Sequence, residues 1–556
     1  MDGSQPMHVG EGAAQSQPPE PARKSFSELV REGCEGYVMK GIGLPIAAYA
    51  FHAVKLCLFV LAWMWFCSFT PGLGSPSHVG TWWHAGIAFQ KAFIWACAIE
   101  VLGFGCMSGP LGFHIWPPFT AFLHFLRPGT TKLAPFPSLP VFGGITRTWL
   151  DVALYAAFVA SLFRALISPA LGAAQLVPIV VLLPLCGLGD KTILFAARVE
   201  HHFAMIVCFL LAGNWIAACK AVQLAIWFWA GVSKLTVAFG YVIPVMVVNN
   251  PLVKNAAVRR RMFISYPENF APSRLGKLMA HAGTFLEFAA PLTLLFVSHT
   301  GPLLVIGMVL VLMLHGFILG NMPAGAVFEW NLVSIYAAFF LFAGHPDVTV
   351  LDIASAPLTV YLIVGLILLP LIGNLVPSKV SFLVAMRYYA GNWAWNAWLF
   401  RGDSYKKLDR VKRASPLLRE QLQRFAPEEA ANMDCRGLAF RSLHLQGRTL
   451  GLLLPRALSE RPFQEYNYVD GENVAGSVLG WNFGEGHLCD DRLLACVQAQ
   501  CHFEEGELRV ICVESQPLLG SSLHWRLFDA QHGLLGEGDA HLADLARRDP
   551  WDYGES

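Results

Sequence analysis

The sequence predicts an all-α polytopic membrane bundle of about 8–10 spans with a small C-terminal β-rich (α+β) soluble domain. Three observations predict it. Charged residues make up 14% of the chain and hydrophobic residues 55%, where an ordinary soluble domain is about 25% charged. Apolar runs recur as far as residue 374, and several reach the roughly 20 residues needed to cross a hydrocarbon layer about 30 Å thick. Beyond residue 401 short alternating stretches separated by glycine-containing turns replace them.

Residues 1–22 are rich in Gly, Gln, Ser and Pro and read as a disordered N-terminus. No basic run there leads into a short apolar core with a small-residue cleavage site, so no cleavable signal is expected. Residues 23–400 form the transmembrane domain. Its spans are expected near 44–69, 85–107, 149–168, 173–189, 203–219, 221–239, 279–298, 302–320, 328–344 and 357–374. Two aromatic segments read instead as interfacial helices, one near 111–127 and one at 381–400, because Trp, Tyr and Phe favour the headgroup depth. The charge of the loops gives a direction. Loop 70–84 has no Lys or Arg, whereas loop 108–148 carries Arg127, Lys132 and Arg147, and loop 240–278 carries Lys254, Arg259, Arg260, Arg261, Arg274 and Lys277. Alternation then sets a multi-pass protein in the cell (inner) membrane with both termini cytoplasmic, provided 203–239 crosses twice.

Residues 401–556 read as a charged helix over 403–430 and then a β-rich domain. Its strands are sought in LGLLLP, GSVLGWNF, CHFEEGELRVICVES and LHWRLFDAQHGLLGEG, with turns at Asp470-Gly471, Glu505-Gly506 and His532-Gly533. The chain's 13 cysteines are scattered, and the tail has no CxxC, which points to reduced thiols. His487, Cys489, Cys496, Cys501 and His502 lie close in sequence, yet their spacing fits no zinc finger or ribbon, and no metal site is expected. A net charge of +1 without a basic, aromatic stripe excludes a nucleic-acid partner. No phosphate-binding loop, nucleophile elbow, HExxH or dinucleotide fingerprint is present.

Charge inside an apolar phase costs several kcal/mol and turns toward the protein interior. Lys191, Arg164, Glu329 and the His201–His202 pair read as interfacial residues, while Lys55, Glu100 and Asp151 lie deeper and are expected to pair with one another. In AVQLAIWFWAGVSKL, Gln223, Trp227, Ala230 and Lys234 share one helical stripe. A lysine in a low-dielectric pocket has a more accessible neutral amine, as a general base requires. A lysine snorkelling at the end of its span fits the same position. Glu287 before Pro291, and His315 with Asn321, add polar groups to neighbouring spans.

In this order, a helix ending in AGVSKL, a Glu helix before Pro and a helix with a mid-span His resemble the horizontally transferred transmembrane domain of vitamin K-dependent γ-glutamyl carboxylase over roughly 200–345. Across nearly the whole chain, including MRYYAGNWAWNAWLF, WNFGEGHLCDDRLL and WRLFDAQHGLLGEG, the sequence also resembles an uncharacterised bacterial transmembrane family with a domain of unknown function. The first resemblance implies Lys234 as base toward a lipid-soluble or quinone-like molecule. Glu287 and His315 would assist it, and Gln223, Trp227, Lys220 and Asn321 would line its pocket. The segment after the lysine, FGYVIP, departs from the carboxylase pattern, and the tail has no likeness to the carboxylase's lumenal region. Glutamate carboxylation is therefore not implied. The competing readings are a transporter or lipid-binding protein, and a membrane anchor presenting the tail to a protein partner.

Overall fold

Residues 25–553 are described by the computed structural model, apart from 44–45, 106–119, 212, 321–326, 389, 425 and 460. Among them, six helices are long and apolar enough to span a membrane: Tyr49–Cys67, Trp149–Ile167, Trp215–Ser233, Arg274–Leu295, Pro302–Gly320 and Ala356–Leu375. Shorter apolar helices at Ala173–Gly189, Val199–Leu211, Phe239–Asn249 and Phe328–Ala343 stand with them, and the Gly86–Val101 helix is buried along most of its length.

Burial of these helices does not rise with their hydropathy. Pro302–Gly320 has mean hydropathy 2.6 and is 33% buried, whereas Trp215–Ser233 has 1.4 and is 78% buried. Lipid is as apolar as leucine, so nothing drives the most apolar helix inward. The Trp215–Ser233 helix goes inside, where its polar groups find partners.

The expected boundary at 220 within 203–239 is corrected. The break falls before Trp215, where the Asn214 side chain accepts from the Ala217 amide at 3.5 Å and caps the new helix. Lys220 consequently sits inside a helix, and the chain re-forms a helix at Phe239–Asn249 after Lys234.

Seven strands are described. β1 (Phe263–Ser265) and β2 (Asn269–Pro272) make a small hairpin between membrane helices. β3 (Trp395–Arg401), β4 (Tyr466–Asp470), β5 (Leu508–Val513), β6 (Ser522–Asp529) and β7 (Gly533–His541) form an antiparallel sheet in the order β4-β3-β5-β6-β7. The expected interfacial helix at 381–400 is corrected: its last six residues belong to β3, flanked by two other strands. Trp395 and Trp398 are buried there, and the Trp398 indole donates to the Cys489 carbonyl at 3.0 Å. An aromatic run reads alike at a membrane surface and in a sheet core, since both bury the ring and satisfy its edge. LGLLLP and GSVLGWNF are also not strands; the first lies in the helix Leu450–Leu458, and the second begins in the last turn of Gly471–Leu479 and continues as loop. Asp470 caps the second by accepting from the Glu472 amide at 3.0 Å, and Gly480 ends it at φ 88°, so Asp470-Gly471 starts a helix instead of turning a hairpin. The β6–β7 hairpin forms where expected, with Gly533 at φ 78°. Within 403–430 the chain is 3₁₀-helical over Gly402–Arg410 and α-helical over Leu418–Gln423, and Pro427–Leu443 follows.

The sheet domain is docked on one end of the bundle. Lys191 Nζ donates to the His487 carbonyl at 2.6 Å, Arg147 Nη2 to the Leu479 carbonyl at 3.3 Å, and the Leu518 amide to the Asn374 carbonyl at 2.8 Å. The N-terminal helix Phe26–Lys40 packs against Pro427–Leu443, with Arg436 bonded to the Ile42 carbonyl at 3.1 Å, so both ends of the described chain lie on the same side. Of the interfacial helix expected near 111–127, residues 111–119 lie outside the described residues. The described turn, Thr120–Phe125, buries His124 and Phe125 beneath the sheet domain.

Candidate functional site

Lys234 is the C-cap of the Trp215–Ser233 helix, and its ammonium meets three acceptors. It pairs with Glu287 Oε2 at 2.8 Å, and donates to the Tyr388 carbonyl at 2.9 Å and the Ala230 carbonyl at 3.2 Å. The lysine and glutamate side chains are 9% and 7% exposed. Gly231 lets the two helices close: a Cβ built there would lie 3.3 Å from Phe288 and 3.4 Å from Glu287. The structure thus brings Lys234 and Glu287 together, and it fills the lysine's donors with protein acceptors.

His315 belongs to a separate group. The Trp227 indole donates to His315 Nε2 at 2.9 Å, and His315 Nδ1 lies 2.7 Å from Asn331 Oδ1. Gln223 faces His201, with Oε1 3.0 Å from His201 Nε2. Lys220 stands near the far end of the helix, bonded to the carbonyls of His345 and Val348. Fourteen positions separate it from Lys234, about 21 Å at 1.5 Å per residue. Asn321 lies outside the described residues.

The interfacial reading of His201, His202 and Glu329 is corrected, for all three are buried inside the bundle. Lys55, Glu100 and Asp151 do not pair with one another. Lys55 bonds Glu329 at 2.9 Å and the Gly105 carbonyl at 3.1 Å, Asp151 bonds Lys132 at 2.7 Å, and Glu100 accepts from the Trp330 indole at 2.5 Å.

Sequence reasoning missed the network that joins these groups. Arg198 is buried with its guanidinium 3.4 Å from the Trp330 ring centroid, and it bonds Glu200 at 2.5 Å and the Tyr388 hydroxyl at 2.7 Å. The Tyr388 hydroxyl in turn donates to Glu200 at 2.7 Å. Tyr388 therefore touches both ends: its hydroxyl holds Arg198 and Glu200, and its carbonyl holds Lys234. The signal was present in RVEHH, four polar residues between apolar runs, and in MRYY.

A second ionic group lies at the seam with the sheet domain. His487 sits between Glu485 at 3.0 Å and Glu514 at 2.9 Å, while Glu485 also accepts from the Ser381 hydroxyl and the Phe382 amide. Burial works against the charged imidazole, but hydrogen bonds and charge from Glu485 and Glu514 raise His487 from 6.5 to about 10. Against the same burial, His487 and Ser381 lower Glu485 from 4.5 to about 2. Cys489, Cys496 and Cys501 are buried as free thiols, and no group of three or more His, Cys, Asp or Glu suited to a metal occurs among the described residues.

An apolar groove of about 500 Å³ lies between the Trp215–Ser233, Arg274–Leu295 and Ala356–Leu375 helices, and neither Lys234 nor Glu287 lines it. Leu224 and Phe228 form one wall, Pro291 and Leu292 a second, and Leu362 and Leu366 a third. Pro291 stands one turn beyond Glu287, so the groove begins close to the ion pair and extends away from it. Gln223, Trp227 and Lys220, expected to line a pocket, are not among the residues lining this groove.

A helical bundle with charges paired in its interior and a sheet domain docked on one end defines a multi-pass integral membrane protein. The chain belongs to the family described as transmembrane protein of unknown function (DUF3556), whose model matches residues 13–556. No curated protein and no solved structure matches it.

Proposed function

We propose that the protein binds a lipidic small molecule, with the chain of the ligand in the apolar groove and its polar head turned toward Lys234 and Glu287. The observation that carries this reading is the groove's position: one of its three apolar walls starts at Pro291, one turn beyond the Glu287 of a buried ion pair. An amphiphile with an anionic or carbonyl-bearing head, quinone-like compounds included, suits that combination. The charged loops and the shared side of the two termini support a cytoplasmic sheet domain, which is then free to meet a protein partner.

Use of Lys234 as a catalytic base, implied by resemblance to the carboxylase domain, has the same address. It requires the lysine to leave Glu287 and the two carbonyls, because its ammonium is paired with the carboxylate and donates to both carbonyls. The binding reading requires no such opening, and we favour it. Leu292→Trp fills the groove from the Arg274–Leu295 helix, whereas Val305→Trp adds the same bulk on the exposed face of Pro302–Gly320. Mass spectrometry of lipids co-purified with each variant should show one species lost from the first and kept by the second. Equal lipid content in both would overturn the proposal.

A further inference from the structure

From the end of the Phe239–Asn249 helix into the start of Arg274–Leu295, the segment 250–281 carries six Lys or Arg residues and one acidic residue, Glu268. Arg259 is buried and structural, donating to the carbonyls of Val253 at 2.6 Å and Met39 at 2.7 Å. The other five, Lys254, Arg260, Arg261, Arg274 and Lys277, are exposed. None of these five has an ion-pair partner among the described residues; Glu268 instead accepts from Ser265 at 2.6 Å, and Arg260 leans over the Tyr266 ring at 5.2 Å.

Large apolar side chains are interleaved with these cations. Leu252 is 78% exposed, Ile264 61% and Leu278 66%. Exposed leucine beside unpaired arginine is costly in water and favourable where acyl chains meet headgroups. The segment's place agrees: it runs into the first two turns of a membrane-spanning helix, and its hairpin is held by the sheet domain. Phe270 packs on Trp551 with centroids 5.3 Å apart, and Arg448 reaches the Phe270 carbonyl at 3.4 Å. Arg274 and Lys277 also stand at the positive end of their helix, so the helix dipole does not account for them.

We infer that segment 250–281 is a binding surface for anionic phospholipid headgroups in the leaflet facing the sheet domain. The phosphates are taken by Arg260, Arg261, Arg274 and Lys277, and Leu252, Ile264 and Leu278 enter the acyl boundary beside them. This inference stands on different residues from the groove and survives if that reading fails.

The test uses the full chain in nanodiscs of phosphatidylcholine with a minority of phosphatidylglycerol, and reads the lipids retained after detergent extraction by native mass spectrometry. Wild-type protein should retain phosphatidylglycerol in preference to phosphatidylcholine. At roughly fivefold per cation near a membrane surface, the triple variant R260Q/R261Q/K277Q should lose that preference by on the order of a hundredfold. A second triple variant, K406Q/R461Q/R547Q, removes the same charge from exposed sites on the sheet domain and should keep it. Thermal unfolding of each variant separates loss of lipid from loss of fold. Retention of the preference by R260Q/R261Q/K277Q would overturn the inference. So would its abolition by millimolar inorganic phosphate, which would make this a site for the free anion.

Discussion

The central Trp215–Ser233 helix and the peripheral Pro302–Gly320 helix are both 19 residues long and both pass as membrane spans, yet they are built on opposite terms. The peripheral helix is apolar along its length except at His315, which turns inward to Trp227 and Asn331. The central one carries Lys220, Gln223 and Trp227, ends on Lys234, and every one of those side chains has a hydrogen-bond partner. In a bilayer the interior of the bundle is thus its more polar part, and specificity of packing comes from paired polar groups more than from apolar area.

That contrast is open to test by substitution, beginning with the largest effect. Removing one partner of the buried pair, by Lys234→Met or Glu287→Leu, should destabilise the protein by about 3–5 kcal/mol, because the other charge is stranded. The double variant K234M/E287L should recover most of that loss in a thermal or denaturant titration in detergent. Additive losses would show that the pair is not coupled. On the Pro302–Gly320 helix, Val311→Ala at a buried position should cost on the order of 1 kcal/mol or more. Val305→Ala on the lipid-facing side should stay within about 0.5 kcal/mol. Similar costs at the two positions would contradict the outward orientation of that helix. Trp227→Phe keeps the ring but removes the donor to His315, and should cost about 1 kcal/mol.

The seam behaves differently from the bundle because its charges titrate. His487 is raised from 6.5 to about 10, so its contribution is complete below pH 6.5 and is lost as pH climbs toward 10. Glu485 is lowered from 4.5 to about 2, so its contribution is present above pH 4.5 and fades as pH falls toward 2. Docking of the sheet domain should therefore be firmest between about pH 4.5 and 6.5. His487→Gln should flatten the alkaline limb of a melting-temperature profile. An unchanged limb would remove His487 from the seam's pH response.

The bundle was legible in the sequence because twenty apolar residues in a row have few other uses, and its helices form close to where hydropathy puts them. Lys234 and Glu287 were legible only as members of one cluster with His315, which the structure places instead with Trp227 and Asn331. Their relation to Tyr388 was not, because a backbone carbonyl 154 positions away leaves no trace in residue type. The sheet was half legible. β6 and β7 announce themselves through alternation and His532-Gly533, whereas β3 hides in an aromatic run that suits a membrane surface equally well. RVEHH was misplaced for a related reason: polar residues between apolar runs signal a span's end, and only the packed structure shows that here they lie inside.

The central claim is that a lipidic molecule occupies the groove beside Lys234 and Glu287. Its most direct test is photolabelling of the membrane-embedded protein with an alkyl-diazirine lipid analogue, followed by peptide mapping. Labels concentrated on Leu224, Phe228, Leu292 and Leu366, and competed by lipid extracted from the purified protein, are the predicted result. Labels spread evenly over outward faces such as Val305 and Val309, with none in the groove, would contradict it.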